Sequence, residues 1–243
     1  MKKSIICLFF ILSIPVFCFS QIEDKIKKEG VVPGVIYKNG GEILGYIKKT
    51  GMTYTNNKSF PAPWQFQSGI KFIPMDVFEK NEKITNKYYE TYEPKDCDGY
   101  KYDTLVFESV KYADMSAVGM NMLPKKMFMR KVLENKISLF HYFNSPPVVV
   151  SGPEGFEPYY IDCAKVNLVY RIGNDGKLKL VNDLNVEKEL SDCPMVVEKQ
   201  SKGEYKAVGS EGESSRLSKL VNNAIFREQV RLMAIEDYNS NCK

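Results

Sequence analysis

The chain has 243 residues, 44% of them apolar and 26% charged, with 34 Lys and Arg against 30 Asp and Glu and a formal charge of +4. A balance this even excludes the basic field that nucleic acid or an anionic lipid surface demands. The apolar content suffices for one sizeable core or two small ones, and a single histidine excludes a histidine-rich metal site.

Taken in order, Lys2 and Lys3 precede an apolar run from Ile5 to Phe19, with the small residues Cys18 and Ser20 ahead of Gln21. That pattern is a secretory signal peptide over residues 1–20. A membrane anchor is disfavoured because Pro15 interrupts a run already shorter than the roughly 18 to 20 residues a spanning helix needs. Lipidation at Cys18 is disfavoured by bulky Phe17 before it. Loss of Lys2 and Lys3 with the leader leaves 32 basic residues against 30 acidic ones. No second long apolar run follows, so the expectation is a soluble secreted or periplasmic chain with no integral membrane span.

Between Val35 and Lys49 the turn Asn39-Gly40-Gly41 separates two apolar runs, and Asn-Gly supplies the positive φ of a tight hairpin. Thr50 to Pro63 reads as a polar loop. In WQFQSGIKFI, Trp64, Phe66, Ile70 and Phe72 alternate with Gln65, Gln67 and Lys71, which predicts a half-buried strand from Trp64 to Ile73 with one dry and one wet face. Val77 to Lys80 extends that sheet. Ile84 to Tyr92 and Tyr100 to Val110 are Tyr-rich strands around the turn Pro94 to Gly99.

Lys125 to Asn135 predicts a helix with Phe128 and Val132 on one face, and Ile137 to Phe143 returns to strand alternation. Pro146 to Pro158 is a loop. Tyr159 to Ile161, Val166 to Ile172 and Leu178 to Val181 read as strands, the last two joined across Asn174-Asp175-Gly176. The period then changes: Asn185 to Leu190, Pro194 to Lys199 and Ser214 to Tyr238 read as helices. The last carries two mutually rotated stripes, Leu217, Leu220, Val221, Ala224 and then Phe226, Val230, Met233, which predicts a kinked helix or two short ones; Gly209 to Ser215 is a surface loop. The fold class is α+β: an antiparallel sheet or open barrel with a short mid-chain helix and a C-terminal helical tail. The organisation is a β-rich domain over 21–182 and a tail over 183–243 packed on it.

Once Cys7 and Cys18 leave with the leader, Cys97, Cys163, Cys193 and Cys242 remain. Four cysteines in an exported chain imply two disulfides with three possible connectivities. Zinc is disfavoured, since it needs closely spaced ligand pairs.

The signal ending in Ser20-Gln21, the runs GEILGYIKK, GIKFIP, KMFMRKVLENKISLFHYF and NVEKELSDCP, and the closing EDYNSNC resemble a group of uncharacterised secreted proteins of Bacteroidota. The resemblance implies export and a β-rich fold with a helical tail, and carries no activity. In longer relatives such a module precedes an outer-membrane barrel, for which this chain has no strands. Both Cys193 and Cys242 resemble positions of that pattern and both lie in the helix-rich part, which pairs them with each other and leaves Cys97 for Cys163. Asp103-Thr104-Leu105, inside a predicted strand, resembles the three-residue O-glycosylation acceptor of the same group.

No reactive constellation emerges. His141 shares a face with Leu139 and Phe143 and reads as a packing residue, with no nucleophile elbow to serve. Met115, Met120, Met122, Met127 and Met129 are soft ligands that read better as core filler than as a copper site. Asp96, Asp98, Gly99 and Asp103 lack the ligand series of a calcium loop. No cofactor, metal or catalytic residue is expected. Tyr88, Tyr92, Tyr100, Tyr102 and Tyr159 are the candidate binding surface, since a Tyr ring packs with its body and bonds with its tip. The function expected is a non-enzymatic binding or scaffolding module for an unknown protein or glycan. The alternatives are a carboxylate-based hydrolase acting on glycans and an accessory of an outer-membrane assembly.

Overall fold

The computed structural model describes residues 21–48, 52–55, 58–61, 63–113, 123–143, 166–206 and 216–242, with the backbone alone at 52–55, 58–61, 63, 64 and 216–224. The fold is α+β, with a ten-stranded antiparallel sheet that does not close. The strands are β1 (Val31–Lys38), β2 (Gly41–Lys48), β5 (Ile70–Pro74), β6 (Glu90–Tyr92), β7 (Gly99–Tyr102), β8 (Leu105–Tyr112), β9 (Lys125–Leu133), β10 (Ile137–Tyr142), β11 (Asn167–Ile172) and β12 (Lys179–Leu180). Their order is β12-β11-β10-β9-β8-β7-β1-β2-β5-β6. A separate hairpin joins β3 (Met52–Thr55) to β4 (Lys58–Pro61), in what reads by sequence as loop. Among the described residues the chain divides into two compact units, one reaching Val110 and including Lys125–Phe128, the other taking in 111–113, 123–124 and the residues from Met129 onward.

In the first unit, β1 and β2 pair over their whole length around a turn in which Asn39 has φ 53° and Gly40 φ 73°. Those angles are what Asn-Gly accommodates cheaply. Gly45 of β2 lies where a Cβ would come within 2.2 Å of the Ile73 carbonyl oxygen, so only glycine lets β5 approach. The Trp64 stretch departs from expectation. Pro63–Gln67 is a 3-10 turn and the strand begins only at Ile70; Pro63 has no N–H for a ladder and its fixed φ favours a helical start. Phe66 nonetheless turns inward, and its carbonyl accepts a 2.8 Å hydrogen bond from the buried Tyr100 hydroxyl.

Neighbouring residues of β2 and β5 are buried on opposite faces. Ile47 and Phe72 join an aromatic core with Phe66, Tyr100, Phe107 and Phe128. Tyr46 and Ile73 join Val31 and Phe78. The sheet is therefore dry on both sides here, rather than on one as the alternation implies. The second cover includes α2 (Met75–Lys80), a helix where the sequence suggests sheet; Pro74 precedes it, and Asp76 pairs with Lys80 one turn on. Its carboxyl end is tied to α1 (residues 21–29) by Lys25, whose ammonium donates to the carbonyls of Phe78 and Asn81 and lies 4.5 Å from the Phe78 ring centroid. Ile84 to Tyr92 likewise resolves into a 3-10 turn at Asn86–Tyr88 followed by the short β6.

The mid-chain helix predicted over Lys125 to Asn135 is instead β9. Phe128 and Met129, adjacent and both fully buried, can only point into two opposite covers, as a strand places them. Lys131 and Arg130 pair with Phe140 and His141 of β10. Good helix formers such as Met, Arg, Lys and Leu yield here to long-range pairing.

The second unit packs helices on β10 to β12. α3 (Val186–Glu189), α4 (Pro194–Ser201) and α5 (Arg216–Asn241) share with Ile137, Leu139 and Tyr170 a core that includes Val181, Leu184, Leu190, Val196, Ala234, Ile235 and Tyr238. α5 is one continuous helix rather than two short ones. Its buried stripe is Ala234, Ile235, Tyr238 and, just beyond, Cys242, while Phe226, Val230 and Met233 are half-buried. Of Leu217, Leu220, Val221 and Ala224 only the backbone is described. Cys193 and Cys242 form a disulfide with their Cα atoms 5.7 Å apart, as expected. No helix among the described residues is long and apolar enough to cross a membrane.

Candidate ligand pocket

After β12 the chain alternates anchors with free side chains. Val181, Leu184, Val186 and Leu190 are buried, so the intervening Asp183, Asn185 and Glu187 face outward. A 3-10 turn at Val181–Asp183 leads into α3, whose first turn is capped by the Asn185 side chain accepting from the Lys188 N–H at 3.1 Å. Asp183, Asn185 and Glu187, with Gln200 of α4 and Arg231 of α5, line a cavity of about 360 Å³ over Leu184 and Val186.

Arg231 is held by backbone. Its Nε donates to the Leu184 carbonyl at 2.9 Å and its Nη1 to the Arg227 carbonyl at 3.2 Å; among the described residues no carboxylate forms an ion pair with it. Burial, followed by the repulsion of Arg227, lowers its pKa, while Asp183 and Tyr170 act in the opposite sense. A guanidinium keeps its proton through such shifts, so Arg231 presents a full positive charge at the cavity wall, balanced in part by Asp183. Gln200 adds a dry acceptor: its Oε1 is shielded from solvent and meets no hydrogen-bond donor among the described residues.

Beside the cavity, Glu189 accepts from the Tyr170 hydroxyl at 2.9 Å, the Lys179 ammonium at 2.7 Å and the Asn185 N–H at 3.2 Å. Burial alone would raise Glu189, but these bonds, Lys179 foremost, outweigh it and hold the carboxyl below its usual range. Burial and then the bond to Glu189 push the Tyr170 hydroxyl far up. On the other side of α4, Asp237 accepts from Lys199 at 2.7 Å and from the Tyr205 hydroxyl at 2.9 Å, and the Lys199 bond is the main cause of its depressed pKa. Tyr238 donates to Asp192 at 2.6 Å; that bond, then burial, raises the hydroxyl to about 12.

Depressed carboxylates contribute stability that is present above their unfolded pKa and lost as pH falls through the folded one. The second unit is therefore expected to weaken in acid from about pH 4 downward, the ordinary carboxylate range. In urea titrations at pH 7 and pH 3, the double variant E189Q/D237N is expected to narrow the difference in midpoint between the two pH values. An unchanged difference would show that the acid sensitivity lies elsewhere.

Of the residues singled out by sequence, Tyr92, Tyr100 and Tyr102 are core rather than surface, all less than 9% exposed. The alternating aromatic strands bury their rings against Phe66, Phe72 and Phe107, so these three form no partner surface. Tyr88 is half-buried against the Phe78 cluster, and Tyr159 lies outside the described residues. His141 is half-buried, and burial followed by Arg130 lowers its pKa, in keeping with a packing role. Met129 is core and Met127 half-buried; Met115, Met120 and Met122 lie outside the described residues. Among the described residues no three metal-ligating side chains converge. Asp96 accepts from the Glu93 N–H within its own turn. Asp103-Thr104 forms the exposed two-residue turn between β7 and β8, not strand interior, with Asp103 at φ 53°. Cys97 is buried and makes no disulfide among the described residues; Cys163 lies outside them.

Arg231, Asp183, Glu187 and Gln200 escape the sequence reading, because three separate segments bring them together. The one local signal is a charge inside the apolar run Val230-Arg231-Leu232-Met233. Comparison with known proteins finds no family model, no curated protein and no solved structure that matches the chain.

Proposed function

We propose that the chain is an exported, non-enzymatic binding module whose second unit holds a small polar ligand. The observation that carries this reading is Arg231, half-buried, fixed by two carbonyls and in no ion pair among the described residues, at the wall of a polar cavity. A structural arginine is ordinarily neutralised where it is buried; one pinned by neutral acceptors keeps its charge for an incoming group. The leader over residues 1–20 and the disulfide agree with export. A fixed guanidinium at the wall of a cavity suits recognition of an anionic group.

The test is a thermal-shift screen of the protein against small amino acids, organic acids, sugars and nucleotides. At least one class is expected to raise the melting temperature by mass action, and the rise is expected to vanish in R231Q. A screen in which no class shifts the wild type would overturn the reading. A second reading, the carboxylate hydrolase acting on glycans, draws on Asp183 and Glu187 lining the same cavity. Both are exposed, whereas a general acid of that chemistry is raised by an apolar setting. Turnover of aryl glycosides that D183N and E187Q abolish would favour it. The role in an outer-membrane assembly draws on the resemblance alone.

A further inference from the structure

We propose, resting on the binding reading above, that the Arg231 cavity takes a free basic α-amino acid, with its carboxylate on Arg231 and its ammonium groups towards Asp183 and Glu187. Arg231 has five N–H donors and spends one on the Leu184 carbonyl and one on that of Arg227. The remaining donors and the positive charge suit an anionic oxygen pair, which a carboxylate matches in planar two-point fashion. Phosphates and dicarboxylates match it worse, because Asp183 and Glu187 share the lining and repel a second negative charge.

The same acids define the rest of the ligand. The lining carries one positive and two negative side chains, so the best complement has one carboxylate and two ammonium groups. A cavity of about 360 Å³ sits at the small end of the roughly 300–1,000 Å³ range of ligand pockets. It suits a single amino acid better than a peptide or an oligosaccharide.

Isothermal titration of the purified protein at neutral pH and low salt, with L-lysine, L-leucine, L-glutamate and 1,5-diaminopentane, tests this. Lysine is expected to bind tightest. Removing the carboxylate, as in diaminopentane, or the second ammonium, as in leucine, is expected to weaken binding about tenfold or more, the scale of a lost charge-assisted bond. R231Q is expected to lose a similar factor for lysine while remaining folded by circular dichroism. R231K, which keeps charge without the fork, should fall between, and E187Q should weaken lysine more than leucine. Glutamate or diaminopentane binding as well as lysine would overturn the proposal, as would wild-type affinity for lysine in R231Q. If no amino acid binds while another class binds in an Arg231-dependent way, the ligand assignment fails and the binding module stands. If nothing binds, both fail.

Discussion

Replacing Cys193 and Cys242 together by alanine is expected to lower the stability of the second unit by about 4 kcal/mol. That is what the chain-entropy account gives for a bridge closing a loop of 49 residues. The bond links the residue before α4 to the residue after α5, and both sulfurs are buried in the core those helices share. The loss should fall on the helices, so circular dichroism at the helical band is the readout, in urea, with and without reductant. Reduction of the wild type is expected to reproduce the shift of the double variant, and reductant should leave the variant unmoved. Amide exchange over residues 225–241 should accelerate in parallel, because the end of α5 loses its tether. A midpoint indifferent to reduction would mean that the side-chain contacts of Tyr238 and Asp237 hold α5 on their own.

Asn239→Ala is expected to cost about 2–4 kcal/mol, nearly as much, though the residue is small and polar. Its Oδ1 accepts the Ile137 N–H at 2.8 Å and its Nδ2 donates to the Ile137 carbonyl at 2.9 Å. One amide side chain thus serves both backbone groups of a residue that is itself fully buried. Truncation leaves two backbone groups without partners, at about 1–2 kcal/mol each, the lower half of the usual range because both bonds are only part-buried. Asn239→Asp keeps the acceptor but sets a negative charge against the Ile137 carbonyl, so it is expected to lose as much as alanine. Asn239→Gln carries the same amide one methylene too far and should recover little. Urea denaturation of the three variants checks this; an alanine variant within about 0.5 kcal/mol of wild type, the range of an ordinary surface change, would show that water replaces the amide without penalty.

The parts of this fold that the sequence announces are those specified by neighbours in the chain. Asn39-Gly40 dictates its own hairpin, and the apolar anchors Val186, Leu190 and Val196 mark the helices they stabilise. β9 is illegible for the converse reason: Met127, Arg130, Lys131 and Leu133 favour a helix locally, and only pairing with β10 makes them a strand. The Trp64 stretch alternates like a strand because Phe66 and Phe72 are both needed in the aromatic core, yet Pro63 delivers the first of them from a 3-10 turn. The tyrosines were visible as residues with a use, but alternation cannot say whether a second layer covers them. The cavity was least legible of all, since Asp183, Gln200 and Arg231 acquire meaning only when three segments meet.

An open sheet has two outer margins whose backbone donors and acceptors face whatever the solvent brings, and a long apolar margin invites another chain to continue the ladder. Here the outermost strands are β6 and β12, three and two residues long, and each carries a charged residue, Glu90 or Lys179. Strands so short offer a stray segment too few ladder bonds to repay ordering it. Among the described residues the ten-stranded sheet accordingly ends in two blunt margins, which guard it against edge-to-edge aggregation.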